Sequence, residues 1–274
     1  MRDKREMIKS TPFAQRILAR NRLFFIHKST HKLLKNKATP WRNRMKVLTI
    51  PDIHLKPWIF DEAAKILERG EADRAFCLMD IPADWNMGFL IGLYEETFDK
   101  AIWFAKTYPS PLWCWGYHEL SYLWGQLETG YSPYAEHIVL DKLDELSEFA
   151  DPGIICRIDN VLFCHGGLTS RFVKQHKLNN KPIDQIISEI NLEMRIKDLW
   201  NDESPLWFRP QLVRRKPYGE FLQVVGHTPV KEIAEKKGFL STDVFSTDRF
   251  GKQIGESAFA IVDTETKKWK KVNI

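Results

Sequence analysis

The sequence predicts an α/β (α+β) protein in which a mixed β-sheet, or two packed sheets, is covered by helices. Short apolar runs typical of strands first alternate with helical patterns and then follow one another closely towards the carboxyl terminus. No internal repeat or low-complexity segment interrupts this order. At 274 residues the chain is long enough to bury a substantial core in one large domain.

Three strand patterns and two helical patterns make up the first half of the domain. The strand patterns are short apolar runs at residues 46–50, 74–79 and 111–115. Apolar residues at helical spacing cover residues 58–69, where Gly70 is a helix-ending signal, and about 88–107. This alternation is typical of an α/β sheet.

The second half of the domain has shorter connections between its strands. Residues 155–164 have the pattern of a hairpin that turns at Asp159-Asn160. Helical patterns lie near residues 183–200, and three further apolar runs follow at 221–225, 239–244 and 258–263. Strands in such short succession favour a mixed sheet or two packed sheets with helices outside.

The first 44 residues differ in charge from the rest of the chain. Residues 1–44 contain 13 Lys or Arg and 2 Asp or Glu, whereas the remainder is mildly acidic. We expect a basic N-terminal arm over 1–44, partly helical or extended with a helix start at Thr11-Pro12, and one domain over 45–274. Four interpretations of the arm remain open. It contacts nucleic acid or an anionic surface, it is a targeting presequence, it is a solvated arm packed on the domain, or it results from assigning the start of the protein upstream of Met45. We favour the last two, because basic runs are weak motifs.

Hydrophobic patterning and cysteine usage predict a cytoplasmic protein without a membrane span. The sequence has no apolar run of about 18 residues and no secretory signal near Met1. Cys77, Cys114, Cys156 and Cys164 lie in apolar, strand-like runs without close pairing. We therefore expect reduced core thiols rather than a zinc or redox site.

The first strand runs into the sequence VLTIPDIHLKPW, which places Asp52 and His54 directly after an apolar run. Residues i and i+2 of a strand point to the same side, so both side chains can converge on one point. An Asp-x-His pair is common by chance. The pair indicates a site only if other strands supply partners for it.

Four further strands also deliver an aspartate or a histidine at their carboxyl ends. They run into CLMDIPADW, WGYHEL, FCHGGL and VGHTPV, which contain Asp80, His118, His165 and His227. A single His beside a Gly turn is usually a hydrogen-bonded loop residue, and an Asp after a strand often caps a helix. Five such strand ends in series instead favour a metal site at the ligand-binding edge of the sheet.

These motifs resemble those of the calcineurin-like metallophosphoesterase superfamily, in its branch of Ser/Thr protein phosphatases and symmetrical dinucleoside-tetraphosphatases. The family patterns G-D-x-H-G, G-D-x-x-D-R-G, G-N-H-E, H-G-G and G-H-T correspond, in the same order, to PDIHL, MDIPAD, GYHE, HGG and GHTP. The resemblance spans residues 46 to about 263. It implies a four-layer αββα sandwich of two packed mixed β-sheets flanked by helices, and a metal-dependent phosphoesterase acting on a phosphorylated substrate.

The resemblance also implies a dinuclear metal site and its ligands. Asp52 and His54 would bind the first ion, Asp80 would bridge both ions, and His165 and His227 would bind the second. Oxygen and imidazole ligands without thiolate suit Mn, Fe or Zn. Two such ions would generate a bound hydroxide that attacks phosphorus in line.

By the same resemblance, His118 would act as the general acid that protonates the leaving alkoxide. A carboxylate would hold the imidazole in the right tautomer and charge state. Asp84 is our candidate for that carboxylate, although an extra residue separates it from Asp80 and Pro82 lies in the loop. Pro229, where other branches have a further metal-binding His, favours the phosphatase-like branch.

Two family positions are changed in this chain. Tyr117 stands where the family has an Asn ligand of the second ion, so that site is weakened, rebuilt around Tyr117 or shifted in metal preference. Trp85 and Asn86 stand where a phosphate-binding Arg is expected, and neither offers a guanidinium fork. Arg209, in the family-like segment SPLWFRP, is either its substitute or the partner of a surface ion pair.

Three functions therefore remain open on the sequence. The first is an active phosphoesterase whose substrate is a phosphoprotein, a nucleotide or a dinucleoside polyphosphate. The second is a catalytically impaired pseudophosphatase that binds a phosphorylated partner, which Tyr117 and the missing Arg favour. The third is a nucleic-acid-associated protein that uses residues 1–44 and whose binding weakens steeply with salt. We rank the functions in this order.

Overall fold

Ten strands and seven helices lie in the described residues, 45–108 and 112–274, of the computed structural model. The strands are β1 (Lys46–Ile50), β2 (Arg74–Cys77), β3 (Leu112–Trp113), β4 (Ile155–Ile158), β5 (Val161–Cys164), β6 (Leu222–Val225), β7 (Ala234–Lys236), β8 (Phe239–Ser241), β9 (Ala258–Asp263) and β10 (Trp269–Asn273). The helices are α1 (Trp58–Glu68), α2 (Ile91–Thr107), α3 (Tyr117–Trp124), α4 (Glu136–Leu146), α5 (Ser170–Gln175), α6 (Ile183–Leu192) and α7 (Ile196–Leu199). The predictions for the N-terminal arm, including the helix start at Thr11-Pro12, lie outside the described residues.

The strands form two mixed sheets of five strands each. The first has the order β10-β9-β1-β2-β3, in which β1, β2 and β3 run parallel while β9 and β10 are antiparallel to their neighbours. The second has the order β4-β5-β6-β8-β7, in which β5, β6 and β8 run parallel. Each sheet therefore has three parallel strands whose carboxyl ends lie at one edge.

The two sheets pack face to face through a shared apolar core. Along β5, Val161 and Phe163 join the core that contains the first sheet, whereas Leu162 and Cys164 join a second core under the helices. The ring of Phe163 stacks on Phe76 of β2 with the ring centroids 4.1 Å apart. This alternation is what a strand covered on both faces requires.

Helices cover the outer face of each sheet. In α1, Ile59, Phe60, Ala63 and Ala64 are buried at helical spacing, and the helix packs on β1 and β2. Phe172 of α5 lies in the core on the outer side of the second sheet, together with buried residues of α6. The layers are thus helix, sheet, sheet and helix, which confirms the predicted four-layer αββα arrangement.

Most predicted elements are present, with differences that matter at the sheet edge. The predicted strands at 74–79 and 239–244 end earlier, at Cys77 and Ser241, so the residues that follow them lie in loops. Helices α3, α4 and α5 were not predicted, and α3 begins at Tyr117. The edge strands β7 and β10 were also not predicted, because both are short and rich in lysine, as edge strands commonly are.

No helix in the described part of the chain is long and apolar enough to cross a membrane. All four cysteines have free thiols, as the sequence predicted. Cys77, Cys114 and Cys164 are buried, and Cys156 is half-buried.

Candidate metal centre

The loops after the parallel strands of both sheets meet at one edge of the domain. Asp52 and His54 follow β1, Asp80 follows β2, and Tyr117 and His118 follow β3. His165 follows β5, His227 follows β6, and Asp243 follows β8. Because the sheets are packed together, residues far apart in the sequence converge at this edge.

The loops after β1 and β2 are held in an uncommon backbone conformation. The backbone N–H of His54 donates to the carbonyl oxygen of Asp80 at 2.8 Å, and the residues on either side pair in the same way. The φ angles of His54, Asp80 and His227 are 45°, 49° and 66°. A positive φ costs a non-glycine residue on the order of 1–3 kcal/mol, and such strain is typical of functional sites.

Two glycines make room for carboxylates at the site. A Cβ atom on Gly226 would lie 1.8 Å from Oδ1 of Asp52, and one on Gly116 would lie 2.0 Å from Oδ1 of Asp80. No side chain can be accommodated at either position without moving a carboxylate. This close approach is the physical reason for a glycine before the histidine in VGHTPV and at the start of the segment GYHE.

Two groups of side chains bring their ligand atoms within 4.8 Å of one another. We call them the carboxylate-rich group, which is Asp52, His54 and Asp243, and the imidazole-rich group, which is Asp80, His165 and His227. His118 forms a further group of this size with His54 and Asp80. Nε2 of His165 lies 3.0 Å from Oδ2 of Asp80 and 4.0 Å from Oδ2 of Asp52, so the two groups adjoin.

The polar atoms that face one another in these groups lack hydrogen-bond partners. Among the described residues, the buried side-chain atoms without a partner include Oδ1 of Asp52, both ring nitrogens of His227 and Oδ2 of Asp243. Oδ2 of Asp80 and Nε2 of His165 lie 3.0 Å apart and have no other partner. A buried polar atom without a partner costs about 1–3 kcal/mol. Carboxylate oxygens and imidazole nitrogens that converge in this way fit metal ions, which would satisfy all of them.

The electrostatics of the site favour the metal-binding form at His54, His227 and Asp80 and oppose it at Asp52. Burial lowers the pKa of His227 well below its usual value and that of His54 to about 4. Both imidazoles are therefore neutral at neutral pH, which is the metal-binding form. Burial raises the pKa of Asp52 well above its usual value. Burial acts on Asp80 in the same direction, but the interactions with the imidazoles of His165, His118 and His54 together outweigh it, so the pKa of Asp80 falls below its usual range.

His118 lies at the border of the site with its orientation fixed by Glu128. Its Nδ1 lies 2.8 Å from Oε1 of Glu128, and the backbone N–H of Gly130 donates to the other carboxylate oxygen at 2.8 Å. Nε2 of His118 lies 3.9 Å from Oδ2 of Asp80. Burial on its own would lower the pKa of His118, but the charge of Asp80 and the bond to Glu128 raise it to about 9. A bound cation would shift it downwards again.

Asp84 does not occupy the position that the sequence analysis gave it. Its carboxylate accepts hydrogen bonds from Nζ of Lys56 at 2.6 Å and from Oγ1 of Thr247 at 2.6 Å. The longer loop after Asp80 directs Asp84 towards these residues, and the carboxylate beside His118 is supplied by Glu128 instead. The expectation that Asp84 orients the general acid is therefore corrected.

Tyr117 lies among the site histidines. Its ring centroid is 4.0 Å from that of His118, 4.9 Å from that of His227 and 4.3 Å from that of Trp207. Burial raises the pKa of Tyr117 well above its usual value, and the charges of nearby aspartates act in the same direction. The phenol is therefore a neutral side chain beside the imidazole-rich group.

Arg209 points to the same edge, next to His227. Its Nη1 donates to the carbonyl oxygen of His227 at 3.0 Å and to Oγ1 of Thr228 at 3.1 Å. None of the ion pairs found among the described residues includes Arg209, so the alternative of a surface ion pair is not supported. Trp85 is half exposed, and Asn86 donates to the carbonyl oxygen of Arg249, so neither replaces a guanidinium.

Similarity to solved structures is consistent with this geometry. The cold-active protein-tyrosine phosphatase of a psychrophilic Shewanella is 15% identical, with a TM-score of 0.51, over 84% of this chain and 81% of that chain. Another structure of a cold-active protein-tyrosine phosphatase gives a TM-score of 0.50 at 15% identity, over 84% and 79% of the two chains. A metallophosphoesterase from Sphaerobacter thermophilus is 13% identical, with a TM-score of 0.42, over 85% and 88%.

The domain has the fold of these two cold-active phosphatases. Their TM-scores, together with the two five-stranded sheets, carry this assignment, and at 15% identity they establish the fold alone. No family model and no curated protein matches the sequence. The reaction of this domain has to be argued from its own side chains.

The sequence analysis missed two residues at this edge of the domain. Asp243 carries the signal used for the other residues, since it follows a buried apolar run, but the predicted strand at 239–244 enclosed it. Glu128 lies in the loop after α3 and has no motif. Its place beside His118 follows only from the path of that loop.

Proposed function

We propose that this protein is a metal-dependent phosphoesterase that hydrolyses a phosphate ester at the edge formed by the parallel strands. The observation that carries the proposal is the convergence of buried, unpartnered carboxylate oxygens and imidazole nitrogens from both sheets. Metal ions would satisfy these atoms, for which the described side chains offer too few partners.

The chain offers ligands for two adjacent ions. Asp52 and His54 would hold the first ion, His165 and His227 the second, and Asp80 lies between them. When bound, two such ions polarise a phosphoryl group and lower the pKa of a water molecule. The donor set contains no thiolate and suits Mn, Fe or Zn.

His118 would donate a proton to the leaving oxygen. Glu128 engages Nδ1, so the proton on Nε2 is directed at the site beside Asp80. Such a general acid contributes about 10²–10⁴-fold to the rates of reactions with poor leaving groups. Glu128 is then a positioning residue for His118.

Arg209 would bind the non-bridging oxygens of the phosphate. Two of its hydrogen bonds anchor one guanidinium nitrogen beside His227, which leaves the remaining donors for a ligand. A guanidinium fork matches the geometry of phosphate, and Arg209 would replace the arginine that is missing at Trp85 and Asn86.

The sequence predicts two substrate classes, a phosphoprotein and a nucleotide or dinucleoside polyphosphate. Both present a phosphate next to a larger group. Trp207 and Tyr117 form an aromatic wall beside the imidazole-rich group, on which a phenyl ring or a base could stack. The names of the two cold-active protein-tyrosine phosphatases support the phosphoprotein class. The free cysteines support a cytoplasmic location.

The test is hydrolysis of p-nitrophenyl phosphate by the full chain with added Mn²⁺, next to the Asp80→Asn variant. We expect turnover by the wild type that falls by at least about 10³-fold in the variant, since the residue between both ion positions is lost. Parallel assays with a phosphotyrosine peptide and diadenosine tetraphosphate then separate the two substrate classes. Equal rates for both chains across several metals and pH values would refute the proposal.

A second candidate function is a pseudophosphatase that binds a phosphorylated partner without hydrolysing it. Tyr117 favours it, because a neutral phenol at the position of an amide ligand weakens the imidazole-rich group. This function predicts one metal ion or none per chain. A steady content of two ions in elemental analysis of the purified protein would count against it.

A further inference from the structure

Asp243 is a buried carboxylate with one unsatisfied oxygen. It is 1% exposed and lies two residues after the end of β8. Its Oδ1 accepts a hydrogen bond from Oγ of Ser246 at 2.5 Å, whereas its Oδ2 has no partner among the described residues. The hydrogen bond to Ser246 orients the carboxylate and leaves Oδ2 available to a second binding partner.

The carboxylate of Asp243 lies beside two residues of the first ion position. Ligand atoms of Asp243, Asp52 and His54 all lie within 4.8 Å of one another. Nδ1 of His54 lies 2.8 Å from the carbonyl oxygen of Ala83, so Nε2 is the ring nitrogen left for a ligand. Oδ1 of Asp52, which is fully buried, also lacks a partner.

A purely structural role for the Asp243 carboxylate explains the surroundings of only one of its two oxygens. The turn formed with Ser246 uses Oδ1 alone. A proton shared between Asp243 and Asp52 would give Oδ2 a hydrogen-bond partner, and the geometry contains none. Two buried carboxylates this close to each other repel, and a cation between them would remove the repulsion.

We propose that Asp243 is a third protein ligand of the first metal ion, next to Asp52 and His54, an inference that rests on the proposed function. The first ion then has two carboxylates and one imidazole of its own, in addition to the shared Asp80. The second ion has two imidazoles. The first position is therefore the harder one and prefers Mn²⁺ or iron, whereas the second suits zinc.

The experiment counts ions in the full chain and in its Asp243→Asn variant. Both proteins are stripped with a chelator, titrated with Mn²⁺ and followed by electron paramagnetic resonance, with elemental analysis after desalting. We expect two ions in the wild type, and in the variant one ion with unchanged affinity and one bound on the order of 100-fold more weakly. Two ions bound with wild-type affinity in the variant would overturn the assignment of Asp243.

Two further measurements separate this result from a folding defect and from a failure of the proposed function. Ser246→Ala removes the partner of Oδ1 but keeps the carboxylate, so this control should retain both ions. Thermal unfolding in the presence of chelator should show that the metal-free Asp243→Asn protein is at least as stable as the metal-free wild type, because an unpaired charge is removed. Loss of metal with a lower melting temperature would instead indicate a structural role for Asp243 and overturn the proposal. Absence of any bound ion in the wild type would refute the proposed function itself.

Discussion

The carboxylate-rich group and the imidazole-rich group lie side by side but differ in chemistry. The first combines two carboxylates with one imidazole, and the second combines one carboxylate with two imidazoles. Each group takes residues from both sheets, because Asp243 follows a strand of the second sheet and Asp80 follows a strand of the first. Neither group can form unless the two sheets are packed, so the proposed metal centre depends on the packing of the core.

Gly226→Ala tests whether the two groups depend on each other, and we expect the largest effect on metal binding from this substitution. Gly226 precedes His227 of the imidazole-rich group, yet a Cβ there would lie 1.8 Å from Oδ1 of Asp52 in the carboxylate-rich group. We expect this methyl group to abolish binding of both ions and to lower the free energy of unfolding by about 1–3 kcal/mol. Urea unfolding and a Mn²⁺ count measure the two effects.

Gly92→Ala is the matched control for this change, since a Cβ at Gly92 meets no atom within 4 Å. It lies in α2, where alanine favours the helix, and should leave metal content unchanged. If Gly226→Ala loses one ion and keeps the other, the two groups are independent and the comparison drawn above is wrong.

The second-largest effect is expected at Glu128, which lies outside both groups. Glu128→Gln should leave the metal content intact and reduce kcat on an alkyl phosphate by about 100-fold, because His118 loses its orienting carboxylate. Turnover of p-nitrophenyl phosphate should fall much less, since nitrophenolate leaves without a proton. Steady-state kinetics with both substrates check this prediction.

Glu148→Gln, at an exposed carboxylate, is the control and should change neither rate. An equal fall of both rates in Glu128→Gln would show that Glu128 supports the fold of the site rather than the proton transfer.

The smallest effect is expected at Tyr117. Tyr117→Asn supplies an amide oxygen beside the imidazole-rich group and should tighten binding of the second ion by about tenfold, with the first ion unchanged. Tyr117→Phe keeps the ring without the hydroxyl and should bind both ions as the wild type does. Mn²⁺ titration of the wild type and the two variants tests this prediction. Loss of an ion in Tyr117→Phe would instead show that the phenol oxygen is a metal ligand.

Local patterns were enough to predict which residues come to the sheet edge. Buried strands appear in the sequence as apolar runs. The polar residues that follow these runs, Asp52, Asp80, His165 and His227, can be identified without knowing the fold. The four-layer order also followed from the resemblance of these motifs. Asp243 was readable by the same rule and was missed because the end of its strand was placed three residues late.

The sequence by itself therefore determined most of the strands, the order of the motifs and the kind of side chain at the end of each predicted strand, because these depend on neighbours in the chain. Tertiary structure alone decided that Glu128 rather than Asp84 lies beside His118, that Arg209 lies beside His227, and that Asp243 faces Asp52. These pairings join loops that are distant in the chain. Their geometry is set by how two sheets pack and how far each loop extends, and no local pattern encodes either quantity.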